Sequence, residues 1–307
     1  MRRAAIDIGT VTTRLLIADV DDGRVSEVLR RTTVTHLGEG LHATGSLDDG
    51  AVSRVVEAVA GFAADIAHLG VEETSAVATS AARDAANGRD LLDRLETLGV
   101  PSRIISGATE ARLSFAGATY DMDDDGILVA DLGGGSTELV LGAAHDSECG
   151  REIDIDAARS LDVGSRRLLD RFLHSDPPTA EELARASEWA TSEMRPFFDA
   201  LRQHPRTLVT LAGTGTTLSA VLQALEPYDL ARVHGSRLTG GDIAGLRDEL
   251  ASMPVERRRH VVGMDPARAD VIVAGALILE TILGLAGLDS TVVSEHDILY
   301  GLVLEGA

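Results

Sequence analysis

Asp131 and Glu138 stand seven residues apart, with Gly133, Gly134, Gly135 and Ser136 between them. Carboxylates so placed can hold a divalent cation or a water. The glycines leave backbone N–H groups pointing outward and let a phosphate approach closely. The chemistry this suggests is phosphate handling beside an acid pair. The residues lie in 129–142, VADLGGGSTELVLG, where apolar runs flank the glycines, so the pattern reads as strand, tight turn, strand. On its own a glycine-rich hairpin is more often just a turn.

What lifts it here is a second copy. Residues 7–15 (DIGTVTTRL) and 131–139 (DLGGGSTEL) share D-x-G-x-x-x-T-x-L without a gap, 124 positions apart. Each copy follows one short apolar strand and leads into another. Two copies in one setting point to two related halves facing each other across a cleft.

Further candidates sit on predicted element ends. A strand over 75–78 delivers Thr79, Ser80 and Arg83 to a helix start, where unpaired N–H groups favour an anion. An N-capped helix with a surface arginine reads equally well. Glu110 opens a helix predicted over 109–120, a place where an acid usually serves only the helix dipole. The stretch 212–217 (AGTGTT) follows a strand over 208–211 and precedes a helix from about 218 to 225. It lacks the third glycine and the downstream acid of a dinucleotide fingerprint, and a loop touching phosphate through Gly213 and Thr214 stays open.

The elements that must carry these residues alternate. Strands are expected over 4–7, 13–19, 25–35, 103–105, 151–156 and 291–293. Helices are expected over 48–68, 91–98, 162–173, 179–203, 267–285 and 296–305, the fourth begun by a Thr179/Glu182 capping box and burying Trp189. The fold class is therefore α/β with mixed sheets flanked by helices. The segment 121–126 (DMDDDG) opens like a calcium loop, but Leu132 falls where a bidentate glutamate belongs, so it reads as an acidic turn. The domain boundary is placed there, giving 1–123 and 124–307. The nine histidines show no metal-ligand spacing, and no Walker or G-x-S-x-G motif is present.

Composition excludes several classes. Hydrophobic residues make 44% and charged residues 25%, the balance of a globular protein, and 307 residues suffice for two cores. No apolar run spans a bilayer and no signal pattern opens the chain, so the expected place is the cytoplasm, with no membrane partner. The single cysteine, Cys149, forms no internal disulfide and fits a reducing compartment. A net charge of −21 argues against a sequence-independent nucleic-acid partner. All 28 basic residues are arginine, which suits bidentate phosphate contacts and also fits a bias in base composition.

The ordered motifs ATSAARDAAN (78–87), ISGATEARL (105–113), DLGGGSTE (131–138) and SLDVGSRRL (160–168) resemble those of one family. It is the exopolyphosphatase / guanosine pentaphosphate phosphohydrolase (Ppx/GppA) family, in its short two-domain form, within the actin-like ATPase superfamily. The resemblance runs over nearly the whole chain. It implies two actin-like (ribonuclease H-like) domains with a cleft between them and Mg²⁺-dependent hydrolysis of terminal phosphoanhydride bonds, with a monovalent cation such as K⁺ as a possible addition. Glu110 matches the general base on the attacking water. Asp131 and Glu138 match the hairpin acids that place metal or water, with Asp7 as a further metal ligand. Phosphates would be cradled by Thr10, Thr12, Arg14, Ser80, Arg83, Gly133, Gly134, Gly135, Ser136, Arg167, Gly213 and Thr214. Phosphoryl transfer of this kind works by positioning and charge neutralisation and needs no protein nucleophile.

Three departures stand out. Val11 replaces the family's asparagine, Ala108 and Thr109 replace more acidic residues before Glu110, and 294–301 (SEHDILYG) lacks the family's arginine. The expected substrate is inorganic polyphosphate. Guanosine pentaphosphate or a nucleoside triphosphate is the alternative, and a weakly active sensor of polyphosphate or alarmone is a third reading. Guanosine tetraphosphate could occupy the same cleft, and a homodimer is the family's habit.

Overall fold

Two hairpins of matched design start two sheets. The computed structural model describes residues 1–147 and 150–305, so Cys149 lies outside the described residues. The chain divides into two units, Met1–Tyr120 with Ile298–Ala307, and Asp121–Asp297.

In the first unit, β1 (Arg2–Ile8), β2 (Thr12–Asp21), β3 (Arg24–Val34), β4 (Glu73–Ala78) and β5 (Ser102–Ile104) form a sheet in the order β3-β2-β1-β4-β5. Strand β1 is antiparallel to β2 and parallel to β4, the mixed sheet expected. Both faces of β1 and β2 are covered, which is why these two strands are buried along most of their length, whereas the edge strand β3 is largely exposed. Ala4, Ile6, Ile8, Leu15 and Ile17 point to one face. There they meet Val52, Val55, Val59 and Phe62 of helix Asp49–His68 and Leu91 and Leu95 of helix Gly88–Glu96. Ala5, Leu16 and Ala18 point to the other face, against Leu113 of helix Gly107–Ala118 and Ile298, Leu299 and Leu302 of helix Ile298–Leu304.

That last packing differs from the boundary read in the sequence, which ran the second domain to the terminus. The terminal helix belongs to the first unit because it is the lid on that unit's second apolar face. Gly301 makes the fit possible, since a Cβ there would stand 2.1 Å from the carbonyl oxygen of Leu113.

In the second unit, β6 (Asp124–Leu132), β7 (Thr137–Ser147), β8 (Gly150–Leu161), β9 (Thr207–Leu211), β10 (Arg237–Thr239) and β11 (Ser290–Val293) form a sheet in the order β10-β11-β9-β6-β7-β8. Strand β6 is antiparallel to β7 and parallel to β9. Laid over the first sheet, β8-β7-β6-β9-β11 repeats β3-β2-β1-β4-β5, and β10 is an extra edge strand. The core of this unit gathers on helices Ala180–Asp199, Ala212–Leu222, Gly240–Ala251 and Ile272–Ala286. Among the described residues no helix is long and apolar enough to cross a membrane.

Several elements depart from the expectations. Strand β8 has 12 residues where 151–156 was expected, because it pairs along the whole of β7. Helix Ala212–Leu222 begins six residues before the predicted start, directly on the end of β9. Ala212 takes a φ of 61°, which turns the chain from strand to helix without a loop. The helix expected over 267–285 is a 3-10 turn, Pro266–Arg268, followed by Ile272–Ala286. The terminal helix starts at Ile298, two residues later than expected. Trp189 is half-buried, stacked on Phe172 at 5.3 Å with the Arg171 guanidinium 4.9 Å from its ring.

Candidate active site

The two hairpin tips share one local construction. In the first, the Gly9 amide donates to the Thr12 carbonyl at 2.9 Å, and in the second the Gly133 amide donates to Ser136 at 3.0 Å. A Cβ at either glycine would stand 3.1 Å from that same carbonyl oxygen, so both turns are tight for the same reason. The sequence repeat is thus a repeat of backbone.

At the first tip Asp7 and Arg14 are direct cross-strand partners. Arg14 Nη2 and Nε reach Asp7 Oδ2 at 2.6 and 3.1 Å, and Asp7 is 4% exposed. The charge of this buried carboxylate is therefore matched by an adjacent guanidinium. The exposed Thr10 hydroxyl lies 2.9 Å from the Ser80 hydroxyl, linking the hairpin to the end of β4, while Thr12 sits half-buried at the start of β2. The glycine-rich loop 37–41 closes onto the tip: the Gly38 amide donates to the Thr10 carbonyl, and a Cβ at Gly38 would stand 2.4 Å from Thr10 Cγ2. The Val11 carbonyl accepts from both Thr35 and His36, so the position that departs from the family still supplies a backbone anchor.

Ser80 and Arg83 lie on a five-residue helix, Ser80–Asp84. The helix start expected there to favour an anion is thus the head of little more than a single turn. Arg83 Nη1 donates to Glu110 Oε2 at 2.9 Å and to the Ile105 carbonyl at 3.1 Å. Glu110 stands in the first turn of helix Gly107–Ala118, which the Ser106 hydroxyl caps by accepting from the Thr109 amide. A carboxylate held by one guanidinium and fixed on a capped helix has the positioning that a general base needs.

At the second tip the arrangement of charge is different. Asp131 and Glu138 occupy the register positions of Asp7 and Arg14, so two acids face one side of the sheet across the hairpin. Ser160 of β8 lies directly opposite Glu138 on its other side. Glu138 Oε1 accepts from the Ser136 and Ser160 hydroxyls at 2.9 and 2.7 Å. Like charges directly opposed across a ladder repel, and an all-oxygen donor set beside them suits a hard cation. Mg²⁺ fits this pair on those grounds. It fits Asp7 less well, because Arg14 already supplies the opposite charge.

The glycines 133–135 are braced from behind. Amides of Ser165 and Arg166, at the start of helix Ser165–Phe172, donate to the Gly133 and Gly134 carbonyls at 3.0 and 2.9 Å. Gly164 must be glycine, since a Cβ would sit 2.4 Å from the Gly134 oxygen. Arg167 Nε holds the Gly135 carbonyl at 2.9 Å, and its Nη2 reaches Asp162 at 3.1 Å. These bonds take the carbonyl side of the loop. Arg167 therefore positions the loop.

Gly213 and Thr214 lie in the first turn of helix Ala212–Leu222 and are buried. A Cβ at Gly213 would overlap the Arg268 guanidinium, 1.7 Å from its carbon, and one at Gly275 would stand 2.5 Å from Thr214 Oγ1. The stretch for which a phosphate-contacting loop was one alternative is a packed helix start, with Thr214 against helix Ile272–Ala286 and Arg268 lying over Gly213.

Ser160 was missed in the sequence. It opens the SLDVGSRRL motif, but its link to Glu138 is a cross-strand one spanning 22 residues, which only the register reveals.

Two units with one strand order, each opened by a glycine-turned hairpin, define a two-domain actin-like fold of the α/β class. Comparisons with known proteins agree. The chain belongs to the Ppx/GppA phosphatase family, matched over residues 16–305. It is 41% identical to exopolyphosphatase 2 of Mycobacterium tuberculosis strain H37Rv, over 99% of this chain and 98% of that protein. Among solved structures, a Ppx/GppA family member from Aquifex aeolicus superposes with a TM-score of 0.88 at 32% identity, covering 99% of this chain and 97% of that one. An exopolyphosphatase from Cytophaga hutchinsonii gives 0.86 at 27% identity, over 100% and 99%.

Proposed function

We propose that this phosphoanhydride hydrolase is a Mg²⁺-dependent exopolyphosphatase that releases orthophosphate from the end of inorganic polyphosphate. The observation that carries this reading is the Asp131–Glu138 pair, two carboxylates opposed across a glycine hairpin. The relatives named exopolyphosphatase support the choice of substrate.

Glu110 takes the proton of the attacking water, and Arg83 fixes the carboxylate that receives it. Asp131 and Glu138 would hold Mg²⁺, which neutralises phosphate charge when bound. Ser136 and Ser160 orient Glu138 for that task. Amides of the 134–136 loop face the phosphate oxygens, while the carbonyls of Gly133, Gly134 and Gly135 are occupied by Ser165, Arg166 and Arg167. At the first hairpin, the Thr10 and Ser80 hydroxyls supply polar contacts to the polymer.

The test is orthophosphate release from short- and long-chain polyphosphate, with and without Mg²⁺, for wild type and Glu110→Gln. Guanosine pentaphosphate serves as a second substrate. Release that requires Mg²⁺ and falls about 100-fold or more in the variant, with polymer binding retained, is the expected result. Release from the nucleotide alone would overturn the substrate assignment.

A further inference from the structure

His234 and His296 are 62 residues apart in the sequence and stacked in the structure, with ring centroids 3.9 Å apart and planes at 35°. Both turn a ring nitrogen to one carboxylate. Asp121 Oδ2 lies 3.2 Å from His234 Nε2 and 3.0 Å from His296 Nδ1. We propose that Asp121, His234 and His296 form a second metal site, separate from the hairpin acids, for a first-row divalent cation of the zinc type.

The distances support it. Ligand bonds of about 2.0–2.2 Å in a tetrahedron set neighbouring donor atoms roughly 3.3–3.6 Å apart. The two edges at Asp121 are within a few tenths of an ångström of that, and all three donor atoms lie within 4.8 Å of one another. The donor chemistry separates this site from the first. Two imidazoles and one carboxylate suit zinc, cobalt or nickel, whereas Mg²⁺ prefers oxygen alone. Three protein ligands leave a coordination position open, and the Asp121 side chain, 52% exposed, gives solvent access to it.

The ligands are also held in advance. His234 caps helix Leu230–Val233, and the residues beside both histidines are paired: Gly235 donates to the Val293 carbonyl and Val293 to that of Ser236, each at 2.8 Å. The Ser294 hydroxyl accepts from the His296 amide at 3.0 Å and donates to its carbonyl at 3.1 Å. His296 is 9% exposed, so its ring has little room to turn away.

Loading replaces the contacts of both rings with Asp121 and changes one bond outside the ligand set. The Glu295 amide donates to His234 Nδ1 at 3.2 Å, which puts the proton of the neutral ring on Nε2, towards Asp121. A cation taking the Nε2 position sends that proton through solvent to Nδ1, and the Glu295 contact opens. The Glu295 amide is therefore a local reporter of occupancy.

The experiment uses tag-free full-length protein stripped by chelator and titrated with Zn²⁺ and with Co²⁺. Wild type should bind one equivalent at this site, show the intense visible absorption of low-coordinate Co²⁺, and shift the Glu295 amide resonance. Asp121→Asn and His234→Gln should each lower Zn²⁺ affinity about 100-fold or more and abolish the absorption, beyond what loss of an outer-shell partner costs. Asp121 is exposed, so its variant keeps the test valid if the histidine variant misfolds. Unchanged binding in Asp121→Asn, or no visible band in wild type, would overturn the assignment.

Discussion

Asp7 and Asp131 occupy the same place in two copies of one hairpin, and the residue paired with each across the turn differs. Arg14 neutralises the first; Glu138 doubles the charge of the second. The acid pair was legible because the motif is local and its turn chemistry is carried by consecutive residues. Glu110 was legible only through the resemblance, since a first-turn glutamate has a default role as a dipole partner. Ser160, His234 and His296 were not legible, because what joins each to its partners is strand register or loop pairing across long stretches of chain. Ser160→Ala tests the register directly. Removing one of two hydroxyls on Glu138 Oε1 should raise the Mg²⁺ concentration for half-maximal phosphate release roughly tenfold, the lower end for an outer-shell partner. An unchanged Mg²⁺ requirement would remove Ser160 from the site.

Elements were read well where their ends carry a signal. The Thr179–Glu182 capping box stands as expected at the head of helix Ala180–Asp199. Helix Gly240–Ala251 has a box of the same kind, but with Asp242 in place of glutamate, and it was overlooked. The helix after β9 was started late because glycines and threonines resemble a loop, whereas the backbone of Ala212 makes the turn in one residue. The first box also sets an acid limit. Glu182 accepts from the Thr179 amide, and from Ser175 as well, which lowers its pKa from 4.5 to about 2. A depressed carboxylate contributes stability that is complete above pH 4.5 and is lost as pH falls towards 2, because the unfolded chain binds the proton first. Glu182→Gln should therefore cost about 1 kcal/mol at neutral pH, the usual worth of a cap once solvent screening is counted, and nothing near pH 2. Denaturant melts at pH 7 and across the acid range check this; a difference that stays constant with pH would refute it.

At the scale of the whole molecule, the duplication was visible and the path of the chain was not. Two D-x-G copies announced two related units, and the strand orders match. The return of the terminus to the first unit was hidden because Ile298–Leu304 is simply apolar, and apolarity does not say which sheet it will cover. Ile298, Leu299, Leu302 and Val303 are all buried there. At about 1.5–3 kcal/mol each they contribute roughly 6–12 kcal/mol, comparable with the entire stability of an ordinary domain. Deleting residues from 298 onward should abolish cooperative melting of the first unit while the second melts as before. Calorimetry with amide hydrogen exchange would show this, and protection of β1 and β2 at wild-type levels would count against it.

That return has a consequence for synthesis in the cell. The first unit is begun before the second and can be completed only after it, since 177 residues (121–297) separate its two parts. At about 5–20 residues per second the ribosome needs roughly 10–35 s to cross that interval. Throughout it, the nascent β1–β2 sheet carries Ala5, Leu16 and Ala18 on a face of which only the Gly107–Ala118 cover has been made and the terminal helix has yet to be translated. The half that emerges first is thus the half that waits, and it is the natural client for a chaperone.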